Sequence, residues 1–205
     1  MDVEITEETA SLAEIARIPI SFEVRSVLDV AGADEGGGFV LTERRLAVPY
    51  VKDYDAIRGE GPTRWTRRFD LSSWGFLSAR ADGRRVGAAV IAFDTPGVTM
   101  LEGRRDLAVL WDLRVAPEAR GHGVGAALFR AVEAWARARG CTQLKIETQN
   151  INVPACRFYA ARGCVLGAID RSAYPGLPDE IQLLWYKDLA GVSARAQLSG
   201  PAELR

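Results

Sequence analysis

The chain has 205 residues, 48% hydrophobic and 26% charged, with a formal net charge of −1, a composition that fits a globular protein with a real core. The near-neutral balance disfavours a general affinity for nucleic acid or an anionic membrane surface. One histidine and three cysteines, Cys141, Cys156 and Cys164, form no CxxC pair and no Cys/His cluster; this argues against a zinc site and fits a reducing cytosol. The acidic start Met1-Asp2-Val3-Glu4 does not resemble a signal peptide, and no apolar run approaches ~18 residues, so a cytoplasmic location is expected.

In chain order, residues 6 to 16 read as a short helix with Thr6 and Thr9 as caps. Ser21 to Val30 alternates as a strand, residues 32 to 38 form a turn by composition, and Phe39 to Val48 supplies an antiparallel partner. Pro49 to Asp55 is aromatic and acidic without a clear period, and reads as a loop or short helix. Arg58 to Phe69, rich in arginine, is expected to run over the surface. Gly75 to Arg80 and Arg85 to Asp94 flank Ala81-Asp82-Gly83-Arg84 as a hairpin. A strand from Asp106 to Val115 places Leu107, Val109, Trp111, Leu113 and Val115 on one face, with Ala108, Leu110, Asp112 and Arg114 on the other.

After a glycine-rich loop, Val124, Ala127, Leu128, Ala131, Trp135 and Ala138 mark the apolar stripe of a helix that ends at Gly140. Gln143 to Gln149 is the next strand, Pro154 to Arg162 a short helix, and Gly163 its stop. Val165 to Asp170 and Glu180 to Lys187 are the last strands, joined by a loop through Tyr174. A domain over residues 1 to 188 and a flexible tail over 189 to 205 are expected.

The glycine loop is Arg120-Gly121-His122-Gly123-Val124-Gly125. Such a loop at a helix start exposes backbone N–H groups where the helix dipole adds positive charge, which suits a pyrophosphate. A dinucleotide reading wants GxGxxG immediately after the strand and an acidic residue about 20 positions on, a place Glu147 roughly fills. Here the spacing is GxGxG, and Ala116 to Arg120 intervenes. A nucleoside triphosphate loop needs Gly-Lys-Ser/Thr, which is absent. Glycines that merely allow tight helix–strand packing are the remaining alternative.

Arg120-x-x-Gly123-x-Gly125, followed one helix and one strand later by Asn152-x-x-Ala155-x-x-x-Tyr159-x-x-x-Gly163, resembles the two coenzyme A signatures of the GNAT acetyltransferases. The segments Pro49 to Asp55, Ile146 to Tyr159 and Glu180 to Lys187 look like the streptothricin acetyltransferase branch. The resemblance implies an α+β fold with a central mixed, mostly antiparallel sheet flanked by helices. It implies acetyl-CoA as co-substrate, no metal, and transfer of acetyl to a small-molecule amine, first the β-lysine amine of a streptothricin-type antibiotic. Protein lysine, a polyamine or another small amine, and a non-catalytic CoA-binding module are the alternatives; a homodimer is within its range.

An alkylammonium with a pKa near ~10.4 must lose its proton before it attacks a thioester. The site therefore needs a proton acceptor, donors for the oxyanion and an acid for the leaving thiolate. By resemblance Tyr159 is the acid, and a backbone N–H near Leu113, Arg114 and Val115, at a bulge, is the oxyanion donor. Asp112 and Glu147 compete for the role of base, directly or through water. Gly121, His122 (through its backbone), Gly123, Val124, Gly125, Asn152 and Ala155 complete the expected cofactor contacts. Arg120, Arg157 and Arg162 are candidates to reach phosphates, or simply solvated helix charges. Asp53, Tyr54, Asp170 and Tyr174 are candidate substrate contacts, since acidic and aromatic groups suit a cation.

Overall fold

A computed structural model describes residues 2–32 and 38–190. The expected turn at 32 to 38 and the expected tail therefore lie mostly outside the described residues. The strands are β1 (Glu4–Glu7), β2 (Phe22–Gly32), β3 (Phe39–Lys52), β4 (Gly75–Ala81), β5 (Arg84–Ala92), β6 (Leu107–Val115), β7 (Gln143–Gln149), β8 (Val165–Asp170) and β9 (Gln182–Asp188). The helices are α1 (Leu12–Ala16), α2 (Val124–Ala138) and α3 (Val153–Ala160). Seven strands form one sheet in the order β1-β4-β5-β6-β7-β9-β8, while β2 and β3 pair separately as a hairpin arm. Every neighbouring pair is antiparallel except β6 with β7. No helix among the described residues is long and apolar enough to cross a membrane.

Several boundaries differ from those the residue pattern suggests, each for a tertiary reason. The N-terminal helix begins only at Leu12, because Glu4 to Glu7 pair with Arg80 to Leu77 along the free edge of β4. Thr6 is thus a strand residue rather than a cap. Strand β3 continues through Lys52, taking Pro49 to Val51 from the expected loop into the arm. The arginine-rich stretch is not wholly superficial: a 3-10 turn at Pro62–Arg67 buries Pro62 and Trp65. In α2 the buried residues are Val124, Leu128, Phe129, Val132, Trp135 and Ala136. The inward face is therefore rotated from the expected stripe toward its bulkier members, whose burial stabilises by about 1.5–3 kcal/mol each.

Strand β6 carries two irregularities. Opposite β5, Val90 pairs with Asp112 but Ile91 pairs with Leu110, so Trp111 is an extra residue in a β-bulge. The single alternating face expected along β6 is therefore interrupted at Trp111. The other irregularity is a parting of parallel strands. Strand β6 is paired with β7 only from Leu107 to Leu110, against Gln143 to Ile146, whereas β7 runs on to Gln149 beside β9. Beyond Leu110 and Ile146 a gap opens, and the backbone of β6 on that side loses its sheet partner.

The arm is fastened at the end of β7 by Asn150, which is 5% exposed. Its backbone oxygen accepts from Leu28 N (2.9 Å), and its Nδ2 donates to Leu28 O (3.2 Å). Toward the other side its N donates to Ile181 O (3.0 Å), and its Oδ1 accepts from Ile181 N (2.8 Å). One side chain thus extends two ladders at once and leaves no polar group unsatisfied. Val24, Val27 and Ile151 form a small separate core beneath this junction.

Candidate active site

The gap between β6 and β7 opens into a cavity of about 700 Å³ that runs from the glycine loop to the arm. At one end Gly121 and Gly123 take positive φ of 79° and 85°, a conformation that L side chains resist. The first amide after Arg120 with a backbone acceptor is Ala127, which donates to Gly123 O (3.0 Å). The amides of residues 121 to 126 make no hydrogen bond among the described residues, so they cluster unpaired at the start of a 15-residue helix. That is an anion cradle by construction.

Around the cavity the expected cofactor positions are brought together, with differences in what their side chains do. Leu113, Arg114, Val115, Arg120, Gly121, Gly123, Gly125, Asn152 and Ala155 line it. Val124 is buried in the core instead, and the His122 ring faces Arg120 O (Nδ1 at 2.9 Å). The Arg120 guanidinium donates to the carbonyls of Val115 (3.0 Å), Ser21 (3.1 Å) and Pro19 (3.3 Å), so it ties the loop to the chain before β2. Asn152 Oδ1 caps α3 at Ala155 N (3.2 Å). Of the other two candidate arginines, Arg157 pairs with Glu43 on the arm, while Arg162 lines the cavity over the Phe158 ring.

Tyr159 is 7% exposed, lines the cavity, and is packed between Phe129 and Phe158 with ring centroids at 5.7 and 5.1 Å. Its hydroxyl makes no hydrogen bond among the described residues. Burial raises its pKa well above the ordinary tyrosine value, so it stays protonated.

The two carboxylates expected to compete for the proton have very different surroundings. Asp112 is buried, and its two oxygens accept three bonds from Arg114, Nε at 2.9 and 3.0 Å and Nη2 at 2.9 Å. Burial pushes the Asp112 carboxyl up from its ordinary value, against the pull of the guanidinium. Arg114, 2% exposed, also donates to Asp55 (Nη2 to Oδ1, 2.9 Å) and to Ile18 O (3.1 Å). Glu147 is half-buried and faces the cavity. Its Oε1 accepts from Tyr174 (2.5 Å) and Gln149 (3.3 Å), and its Oε2 from Gln182 (2.8 Å). Among the described residues it has no cationic partner.

The expected substrate contacts divide. Tyr54 lines the cavity and donates to the buried Glu180 (2.7 Å), which also pairs with Lys52. Tyr174 reaches the site through Glu147 and also accepts from Gln149 Nε2 (3.0 Å). Asp53 and Asp170 are exposed outside the cavity lining, where each carboxylate accepts from the backbone N–H two residues on, Asp55 and Ser172. Composition singled them out, but those are turn-forming contacts. Asp55, Phe22, Gln182 and Glu180 were not singled out. Each acts through a partner at least 35 residues away or across the arm, and a linear pattern carries no trace of that.

Residues 45–164 match the model of the acetyltransferase (GNAT) family. The chain belongs to the GNAT acetyltransferase family. A streptothricin acetyltransferase of Escherichia coli is 33% identical over 168 residues, 80% of this chain and 84% of the relative. Among solved structures, nourseothricin acetyltransferase superposes with a TM-score of 0.71 at 26% identity, over 92% of this chain and 99% of that one. A Bacillus anthracis str. Ames protein, assigned as a streptothricin acetyltransferase and solved in complex with acetyl coenzyme A, gives 0.70 at 25%, over 91% and 99%. This GNAT chain therefore has the mixed-sheet α+β fold implied by its glycine and asparagine signatures, and it is an acetyltransferase.

Proposed function

We propose that the protein transfers acetyl from acetyl-CoA to a primary amine, and that this amine is the β-lysine amine of a streptothricin-type antibiotic. The observation that carries the reading is one cavity joining amides of residues 121 to 126 to Tyr159 and to a carboxylate, Glu147; among the described residues those amides are unpaired and Glu147 has no cationic partner. The similarity to streptothricin acetyltransferases over most of the chain supports the choice of amine.

The pyrophosphate of acetyl-CoA would sit on the amides at the start of α2, and its thioester would lie along the unpartnered edge of β6 near Leu113 to Val115. Glu147, whose bonds come from neutral groups, takes the proton from the acceptor ammonium; Asp112 is less suited, because it is buried and paired with the Arg114 guanidinium. The freed nitrogen attacks the carbonyl carbon; as the C–S bond breaks, the thiolate leaves toward the Tyr159 hydroxyl and the second nitrogen proton is lost to water. Backbone N–H groups of β6 stabilise the oxyanion. Buried, unpaired cysteines agree with a reducing, cytoplasmic setting.

The deciding measurement is CoA-thiol release by the purified protein with streptothricin, lysine, polyamines and lysine peptides in parallel. Streptothricin is expected to give the highest kcat/KM; turnover of another amine with none of streptothricin would sink the substrate assignment. The cofactor end has its own test. Gly123→Ala places a side chain at φ 85°, where the strain of about 1–2 kcal/mol favours withdrawal of the loop from its amide-presenting form. Recovering that form on binding raises the KM for acetyl-CoA by about tenfold. An unchanged KM would remove the loop from cofactor binding.

A further inference from the structure

Trp111 is the residue that the bulge adds to β6, and its register gives it a particular place. The last parallel pair is Leu110 with Ile146, so the next residues, Trp111 and Glu147, stand on the two sides of the opening. Both line the cavity. Along β6, Trp111 lies further from the glycine loop than Leu113, on the side away from the cofactor end.

The indole is braced from behind. Its ring lies 5.2 Å from Trp74 and 5.3 Å from Phe69, the latter edge-on at 77°. Trp74 in turn packs against Phe69 and Trp65 and is fixed by a bond from Nε1 to Thr95 Oγ1 (2.9 Å). Two aromatic side chains, Trp74 and Phe69, with Trp65 behind them, thus hold Trp111 without any polar tie of its own among the described residues. Across the opening from it stands Glu147, a cavity-lining carboxylate bonded to Tyr174, Gln149 and Gln182 and without a cationic partner among the described residues. A braced indole that faces a half-buried cavity opposite an uncompensated carboxylate is a good cation–π acceptor.

Which cation it holds follows from the chemistry. Binding the reacting nitrogen as ammonium would keep its proton on and oppose attack. We propose that Trp111 determines acceptor specificity by holding a second, non-reacting ammonium of the acceptor, so that the site selects diamines over monoamines. This deepens the acetyl-transfer reading and rests on it for the reacting end.

The test compares cadaverine, pentylamine and cadaverine trimethylated at one nitrogen, in the wild type, Trp111→Phe and Trp111→Leu. The quaternary end can be neither acetylated nor hydrogen-bonded, so its recognition reports the aromatic face. The wild type is expected to favour cadaverine over pentylamine in kcat/KM by about tenfold and to treat the trimethylated amine like cadaverine. In Trp111→Leu the preference falls to within about twofold through a higher acceptor KM, with the KM for acetyl-CoA unchanged; Trp111→Phe keeps most of it. Equal selectivity in the leucine variant, or a loss borne equally by pentylamine, overturns the proposal. Calorimetric binding of the trimethylated amine separates the two claims. Trp111-dependent binding with no acetylation of any amine would defeat the acetyl-transfer reading alone, and acetylation with Trp111-independent binding would defeat this one alone.

Discussion

Replacing Tyr159 with phenylalanine is expected to lower kcat by about a hundredfold while leaving the KM for acetyl-CoA within about twofold. The ring sits in a fixed aromatic cage of Phe129 and Phe158, so the substitution removes one oxygen without disturbing packing. The hydroxyl has no protein partner among the described residues to lose. A typical general acid contributes a factor of about 10²–10⁴, and two considerations place Tyr159 at the low end. Its burial-raised pKa makes it a reluctant donor, so much of its effect is a hydrogen bond to the departing thiolate rather than a completed transfer. The same shift fixes the sign of the pH dependence. A raised pKa keeps the phenol protonated as pH rises through the usual tyrosine value of 10.0. Activity should therefore climb with pH as the acceptor ammonium ionises, with no descending limb below about pH 10. A descending limb near neutrality that vanished in the phenylalanine variant would contradict this account.

The second large effect is on stability. Arg114→Met should destabilise the protein by about 3–5 kcal/mol, because it strands the buried Asp112 carboxylate and leaves Asp55 unpaired. For a chain of this size that is a fall in Tm of roughly 10 °C. The deficit depends on pH in a definite direction. Burial already raises the Asp112 carboxyl above its ordinary 3.8, and loss of the guanidinium raises it further. A group whose folded-state pKa is raised favours folding most below its unfolded value and loses that contribution as pH rises through the folded one. The variant's deficit should therefore narrow from pH 7 toward about pH 4, and Asp112→Asn added to it should recover much of the loss at neutral pH. Urea denaturation at two pH values checks both; a deficit that widened on acidification would show that Asp112 is not the group left uncompensated.

How far the residues alone reveal the molecule depends on the range of the interactions involved. The glycine loop and the stop at Gly140 are local devices, each encoded within a few neighbouring residues, and both appear where expected. Strands β7 and β8 keep their expected bounds because alternation and flanking turns define them. The edge pairing of Glu4 to Glu7 with β4 and the burial of Trp65 depend on distant surfaces, and local propensity points elsewhere. The site shows the same division. Tyr159 is picked out by resemblance, Asp112 and Glu147 as acidic residues on neighbouring strands, and the structure sets all three along one cavity. That Asp112 is committed to Arg114, and Arg114 in turn to Asp55, is a contact across 59 residues that no spacing rule reaches.

The junction at Asn150 has a consequence for how such a protein diverges. Phe22 and Tyr54 come from the arm and the turn after it, whereas the amide cradle and Tyr159 come from the stretch between Val115 and Arg162. The two contingents meet where the asparagine joins the arm to the sheet, beside the Arg157–Glu43 and Lys52–Glu180 pairs. Natural selection can therefore rework the rest of the arm to follow a changing acceptor while the cofactor end stays constant, provided that these few junctions are kept.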